Sequence, residues 1–175
     1  MEKRLILGNA WPSDIFLLRD LPGDYSVTVV PHQLSPEIIL AFQEGLKRLG
    51  RLPVEINDAT SLVEKGDTFI INKKGVLCEL YSDFGKAYVG GGFETSIHSV
   101  LEPLVAGSDQ LAAGPMHHRS TEYDIAMELE LMSEVRNPEA FKLWLAKKTS
   151  GQSTLEKLTP TFNLYPARRK EIILC

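Results

Sequence analysis

Two rhythms of apolar residues alternate along this chain. Short runs rich in Val, Ile, Leu and Tyr occupy 4–8, 25–30, 53–57, 67–72, 86–89 and 110–113, each bounded by Gly, Pro, Asn or Asp, and each reads as a buried strand. Between them apolar side chains return every three or four positions, the helical period. The clearest case opens at Ser35-Pro36-Glu37, a capping side chain followed by a proline and an acid in the first turn; Ile39, Phe42, Leu46 and Leu49 then share one stripe, and Gly50 closes it. Ser13-Asp14 supply a cap for a short helix to Arg19 that Pro22-Gly23 stop, and 75–81 and 99–106 predict two more short helices. A helix over 121–132 carries Ile125, Leu129 and Met132 on one side. Asn137-Pro138-Glu139 open another that runs to Lys148, with Phe141 and Leu145 inward and Gly151 at its end. From Thr159 the tail holds two prolines and the period fades.

Strands alternating with helices at this spacing imply βαβ units. The expected fold is therefore α/β, a Rossmann-like three-layer sandwich with a parallel sheet of about six strands covered on both faces. A length of 175 residues fits one such domain, 1–175. In an open parallel sheet ligands bind beyond the carboxyl ends of the strands. The segments there are Gly8-Asn9-Ala10-Trp11, Pro31-His32, Asn72-Lys73-Lys74-Gly75, Gly90-Gly91-Gly92-Phe93 and Gly114-Pro115-Met116-His117-His118. Turn geometry alone accounts for many glycines and prolines in α/β proteins, but five such loops together have the make-up of a ligand cleft. The stretch 88–103 is central: Tyr88-Val89 feed three consecutive glycines, and a helix beginning near His98 carries Glu102. Backbone N–H groups at such a turn, with no side chains in the way, can hold an anion such as a phosphate.

Charge and composition exclude several classes. The net charge of -4 argues against a nucleic-acid partner, which calls for a basic face. Two cysteines, Cys78 and the terminal Cys175, imply no disulfide framework and a reducing compartment, with Cys78 read as a small buried residue. Leu5-Ile6-Leu7 before Gly8 is too short for the apolar core of a signal peptide, and no run is long enough to span a bilayer. A cytoplasmic location is expected.

Among candidate chemical groups, Glu102 follows His98 by four positions, so in one helix both share a face. A carboxylate there can accept from the two vicinal hydroxyls of a ribose, and His98 can reach a phosphate or sugar; the alternatives are a solvated helix acid and a local hydrogen-bonding histidine. A metal would draw on His98, Glu102, His117 and His118, but adjacent histidines point apart and no HExxH or Cys-rich spacing is present, so no metal and no cofactor is expected. The chain has no Gly-x-Ser-x-Gly elbow, and after the first strand it reads Gly8-Asn9-Ala10-Trp11-Pro12-Ser13 rather than a dinucleotide-binding Gly-x-Gly-x-x-Gly.

Taken in order, these motifs resemble the C-terminal half of 3-deoxy-D-manno-octulosonic acid (Kdo) transferases, which attach Kdo to the lipid A precursor. Gly8-Asn9-Ala10-Trp11-Pro12, with Asp14 after it, is similar to that family's first loop, and Val29-Val30-Pro31-His32 to its second strand end. Leu80-Tyr81 precede the signature, which looks like Val89 to Phe93, then His98-Ser99, then Leu101-Glu102; Gly114-Pro115 follow the next strand. Ser99 stands where the family has Asn, and Asn9 and Ala10 where it has Ser and Thr. The likeness runs over most of 4–145.

The resemblance implies a GT-B architecture, in which two Rossmann-like domains face each other and the C-terminal one holds the nucleotide-sugar. It implies CMP-Kdo as donor in lipopolysaccharide biosynthesis. Gly90, Gly91 and Gly92 would lie near the CMP phosphate and Glu102 near the ribose, with Phe93, His98 and Ser99 also in the donor site. Asn9, Ala10, Trp11, Pro31, His32, Lys74 and Gly75 would line the rest of the donor site. The general base, the lipid A precursor and the membrane contact, on the cytoplasmic face of the inner membrane, would belong to an N-terminal half, so no catalytic residue is expected in these 175 residues and the domain alone should be inactive. The alternatives are a non-catalytic α/β nucleotide-binding or regulatory module, such as a flavodoxin-like or receiver-like domain, and an interaction domain that has lost donor binding.

Overall fold

The computed structural model describes residues 3–57, 68–117 and 121–148. Positions discussed above at Asp67, His118, Gly151, Cys175 and the tail from Thr159 lie outside them. The elements run β1 (Arg4–Ala10), a 3-10 segment (Pro12–Leu18), β2 (Ser26–Pro31), α1 (Pro36–Arg48), β3 (Pro53–Ile56), β4 (Thr68–Ile71), α2 (Leu77–Tyr81), β5 (Lys86–Val89), α3 (Leu101–Val105), β6 (Gln110–Ala113), α4 (Thr121–Glu128), β7 (Met132–Glu134) and α5 (Pro138–Ala146). All seven strands are parallel, in the order β3-β4-β2-β1-β5-β6-β7.

β2, β4 and β5 are buried at every position, because helices cover both faces of the sheet and leave no room for an alternating polar side. One core joins Ile6, Val89, Leu111 and Tyr81 to α2, α3 and α4; the other joins Leu5, Leu7, Val29 and Tyr88 to the 3-10 segment, α1 and α5. α1 forms as its sequence signs indicate: Ser35 Oγ accepts from the Ile38 N–H at 3.4 Å, Ile39, Phe42 and Leu46 are buried, and Gly50 closes the helix at φ 75.

Two expectations need correction and a third needs extending. The helix expected over 121–132 is cut short: α4 stops at Glu128 and Met132 opens β7, which brings the parallel sheet of about six strands to seven. Glu130 adopts φ 55, its N–H donates to the Met127 carbonyl (3.1 Å) and that of Leu131 to Ala126 (2.9 Å), which turns the chain off the helix. Secondly, α3 begins at Leu101 rather than near His98. The backbone before it is committed elsewhere: Ile97 N–H donates to the Met116 carbonyl (2.9 Å) and His98 N–H to Gly90 (3.3 Å). His98 and Glu102 are therefore not one turn apart on a common helix. Thirdly, Asp14 is more than a cap: it accepts from the Trp11 N–H at the start of the 3-10 segment (2.8 Å) and is fully buried.

No helix among the described residues is long and apolar enough to cross a membrane.

Candidate functional site

β1 continues into β2 on one side and pairs with β5 on the other, so the direction of the strand order reverses at the β1–β5 seam. Beyond the carboxyl ends at such a seam the flanking connections diverge and leave a crevice. Gly8 pairs with Val89 there, and Gly8 has no side chain because a Cβ would collide with the Tyr81 hydroxyl.

The triple glycine forms the crevice wall, and each residue has its own reason. A Cβ on Gly90 would lie 2.5 Å from the Asn9 carbonyl oxygen and from Ala10 Cα. A Cβ on Gly92 would lie 2.6 Å from Gly114 Cα, and one on Gly114 would run 2.8 Å from the Gly92 carbonyl. Gly91 sits at φ 96, which side-chain-bearing residues rarely adopt. Packing of three strand ends thus explains the glycines before any ligand is considered. Nor are all the N–H groups free: that of Gly90 donates to the Gly8 carbonyl (2.9 Å) and that of Gly91 to Asp14 Oδ2 (3.2 Å). Among the described residues, the Gly92 and Phe93 N–H groups are the donors of this turn left without a protein acceptor.

Asp14 caps the 3-10 segment and also reaches beyond it. Its Oδ2 accepts from the Trp11 N–H (2.8 Å) as well as from Gly91, and its Oδ1 accepts from the Tyr88 hydroxyl (2.8 Å). Burial pushes its carboxyl above the usual range against the opposing pull of these three donors. Tyr88 is pushed up as well, by burial and then by the Asp14 charge. Ser13 Oγ donates to Glu94 (2.8 Å) and Phe16 meets Phe93 edge-on at 4.8 Å, which ties the 3-10 segment to the glycine turn.

On the crevice side a line of rings crosses the seam. Trp11 lies 5.3 Å from His32, and His32 stacks on His98 at 4.0 Å and 23°. Trp11 Nε1, His98 Nε2 and the Tyr81 hydroxyl are buried and make no hydrogen bond. Burial, followed by the neighbouring His32, pulls the His98 imidazole below its ordinary value. Glu102 is half-buried; its carboxylate accepts no hydrogen bond among the described residues and is raised by burial.

The structure thus brings Asn9, Ala10, Trp11, His32, Gly90, Gly91, Gly92 and His98 together at the seam, with Pro31 ending the neighbouring β2. Ser99 is exposed and its Oγ accepts from the Leu101 N–H (3.3 Å), fixing the start of α3. Phe93 packs on Phe16, among the side chains of the α1 and α5 face. Lys74 and Gly75 form an exposed turn after β4, two strands from β1, with Gly75 at φ 76. His117 belongs to a separate group: its ring stacks on Tyr123 at 4.0 Å and its Nε2 lies 3.2 Å from Glu134. Among the described residues no set of three or more His, Cys, Asp or Glu side chains converges as metal ligands.

In fold, the chain is similar to the C-terminal CMP-Kdo binding domain of WaaA from Acinetobacter baumannii, with a TM-score of 0.72 and 17% identity over 99% of this chain and 90% of that one. It is also similar to the trehalose-6-phosphate synthase OtsA, with a TM-score of 0.54 and 11% identity, and covers 44% of that chain. No family model matches the sequence, and no curated protein does. The likeness places the fold among the Rossmann-like domains of GT-B glycosyltransferases.

Proposed function

We propose that this domain is the donor-binding half of a Kdo transferase-like glycosyltransferase and that the β1–β5 crevice holds CMP-Kdo. One observation carries the reading: Trp11 Nε1, Tyr81 OH and His98 Nε2, three buried polar atoms without partners, collect where an α/β sheet binds its ligand. Leaving such atoms unsatisfied costs about 1–3 kcal/mol each, a cost that a ligand supplying the missing partners would recover. The fold shared with a CMP-Kdo binding domain is the second support.

In this reading the Gly92 and Phe93 N–H groups donate to the phosphate, whose single charge suits two backbone donors better than a diphosphate would. Glu102 accepts from the ribose hydroxyls, and the rings of Trp11, His32 and His98 line the crevice beside Asn9 and Ala10. Lys74 and Gly75 would touch the donor only at its far edge. The site then holds a leaving group. The base that takes the proton of the acceptor hydroxyl, and the surface for the lipid A precursor at the cytoplasmic face of the inner membrane, belong to an N-terminal half. The domain on its own binds donor and turns none over.

Titrating the chain with CMP to millimolar concentration and following backbone amide shifts tests this. Gly90, Gly91, Gly92, His98 and Glu102 should move together, and Glu102→Ala should weaken binding by roughly 10-fold, the equivalent of about 1.4 kcal/mol for a hydrogen-bonded carboxylate. A flat spectrum overturns the proposal, and unchanged affinity in the variant removes Glu102 from the site.

A further inference from the structure

Among the described residues, the charge around the crevice does not by itself suit an anionic ligand. Asp14 and Glu94 sit on the wall of the glycine turn and Glu102 is half-buried on α3, whereas the lysines that follow β4 are two strands away from β1. Among the described residues at the seam, the groups able to carry positive charge are the two imidazoles. They stack face to face at 4.0 Å, so a proton on one ring sets a cation against the other.

His98 is the ring placed to use that charge. Its N–H on the backbone donates to Gly90, and its Cδ2, bonded to Nε2, lies 3.4 Å from where a Gly91 Cβ would be, so Nε2 borders the glycine turn. That nitrogen is buried and has no hydrogen-bond partner. A neutral imidazole there must choose one tautomer, while an imidazolium donates from both nitrogens. We propose that the crevice takes its anionic ligand, a phosphodiester, together with one proton, which the His32–His98 stack holds and His98 Nε2 presents to the ligand. The inference rests on the crevice being the ligand site.

The surroundings fit a group neutral when empty and charged when filled. Burial and His32 disfavour the imidazolium of His98 in the free chain. Around it, Asp14 lies behind Gly91 with its carboxylate taken by three donors, the Tyr81 hydroxyl on α2 is held neutral by burial, and Glu102 on α3 is raised by burial. Trp11, the third ring, does not titrate. An arriving phosphodiester brings the counter-charge that the empty site lacks, and so raises the imidazole on binding.

The probe is the methyl ester of CMP, whose phosphodiester keeps its single charge and whose cytosine ring is neutral over the range from about pH 6 to 7.5, so that proton uptake there that His98→Gln removes belongs to the protein. Calorimetry in buffers of different ionisation enthalpy counts that proton directly. Binding should take up a substantial fraction of one proton per ligand near pH 7, and affinity should rise by up to about tenfold per pH unit as pH falls from about 7.5 toward 6. In the unmodified chain the His98 ring Cε1–H signal should titrate below the usual imidazole range when free and above it when bound. His98→Gln should abolish the proton uptake. Binding without proton uptake, or a His98 signal whose midpoint the ligand leaves unmoved, overturns the proton coupling while leaving the crevice as the site. Absence of binding at every pH overturns the reading of the crevice itself.

Discussion

Removing the Asp14 side chain should damage the protein more than any other single polar deletion at the seam. In Asp14→Ala the N–H groups of Trp11 and Gly91 and the hydroxyl of Tyr88 all lose their acceptor, and two of those three hydrogen bonds are fully enclosed. Each stranded donor costs about 1–3 kcal/mol. Opposing that is the relief of a buried carboxylate, whose desolvation already shows in its raised pKa. The balance is a loss of about 3 kcal/mol, a large share of the roughly 5–15 kcal/mol that holds a domain of this size together. Asp14→Asn keeps the volume and one carbonyl oxygen, which can serve Trp11 and Gly91 while the amide donates to the Tyr88 oxygen, so its cost should be nearer about 1 kcal/mol. With a slope of about 2 kcal/mol/M, the urea midpoint should fall by about 1.5 M for the alanine variant and about 0.5 M for the asparagine variant. An alanine variant within about 1 kcal/mol of the parent, or an asparagine variant as damaged as the alanine one, would refute the claim that accepted hydrogen bonds, not space filling, are what Asp14 contributes.

Gly92→Ala should cost about 2 kcal/mol or more in urea unfolding, because the added Cβ meets the Gly114 backbone at 2.6–2.8 Å, whereas Gly23→Ala, with nothing within 4 Å, should stay within about 0.5 kcal/mol. At the other end of the sheet, Lys86 Nζ donates to Gln110 Oε1 and to the carbonyls of Trp144 and Lys147, which closes α5. Burial, and after it the Lys147 ammonium, pull Lys86 down to about 8 from 10.5. Between those values the unfolded chain holds a proton that the fold has shed, so stability should rise with pH across that window, and a thermal-melting series in which Lys86→Met shows the same slope would refute it.

How much of this was legible in the sequence turns on whether a feature's partners are near in the chain. α1 and α4 end in the same way, with a left-handed residue and a pair of crossing backbone hydrogen bonds. At α1 the residue is Gly50 and the stop could be read. At α4 it is Glu130, which carries no such sign, while Leu129 and Met132 keep a helical spacing; β7 was therefore read as more helix. The glycines of 90–92 were visible, yet their closest neighbours, Asn9, Ala10 and Gly114, lie on other loops, so packing and anion binding could not be told apart. Asp14 is legible as a cap, through Trp11, but its other partners, Tyr88 and Gly91, are 74 and 77 positions away and leave no local sign. His98 and Glu102 both stand out in the sequence, but the i,i+4 link between them dissolves because the His98 N–H is spent on Gly90.

The Tyr81 hydroxyl separates a site from a merely imperfect core. It is fully buried without a partner, and the absence of a side chain at Gly8 leaves the space it occupies. A core optimised for stability alone would hold phenylalanine here, since an unsatisfied hydroxyl costs about 1 kcal/mol or more and removing it costs only a few dispersion contacts. Tyr81→Phe should therefore leave the free chain as stable as the parent or raise its stability by up to about 1 kcal/mol, and at the same time weaken CMP binding by roughly 3- to 10-fold. The two readouts are independent. A drop in stability of more than about 1 kcal/mol means that the hydroxyl is satisfied within the fold, and its claim to the ligand fails. Stability gained with affinity unchanged places the hydroxyl outside the reach of the nucleotide, and the crevice would then be bounded by Trp11, His32 and His98 alone.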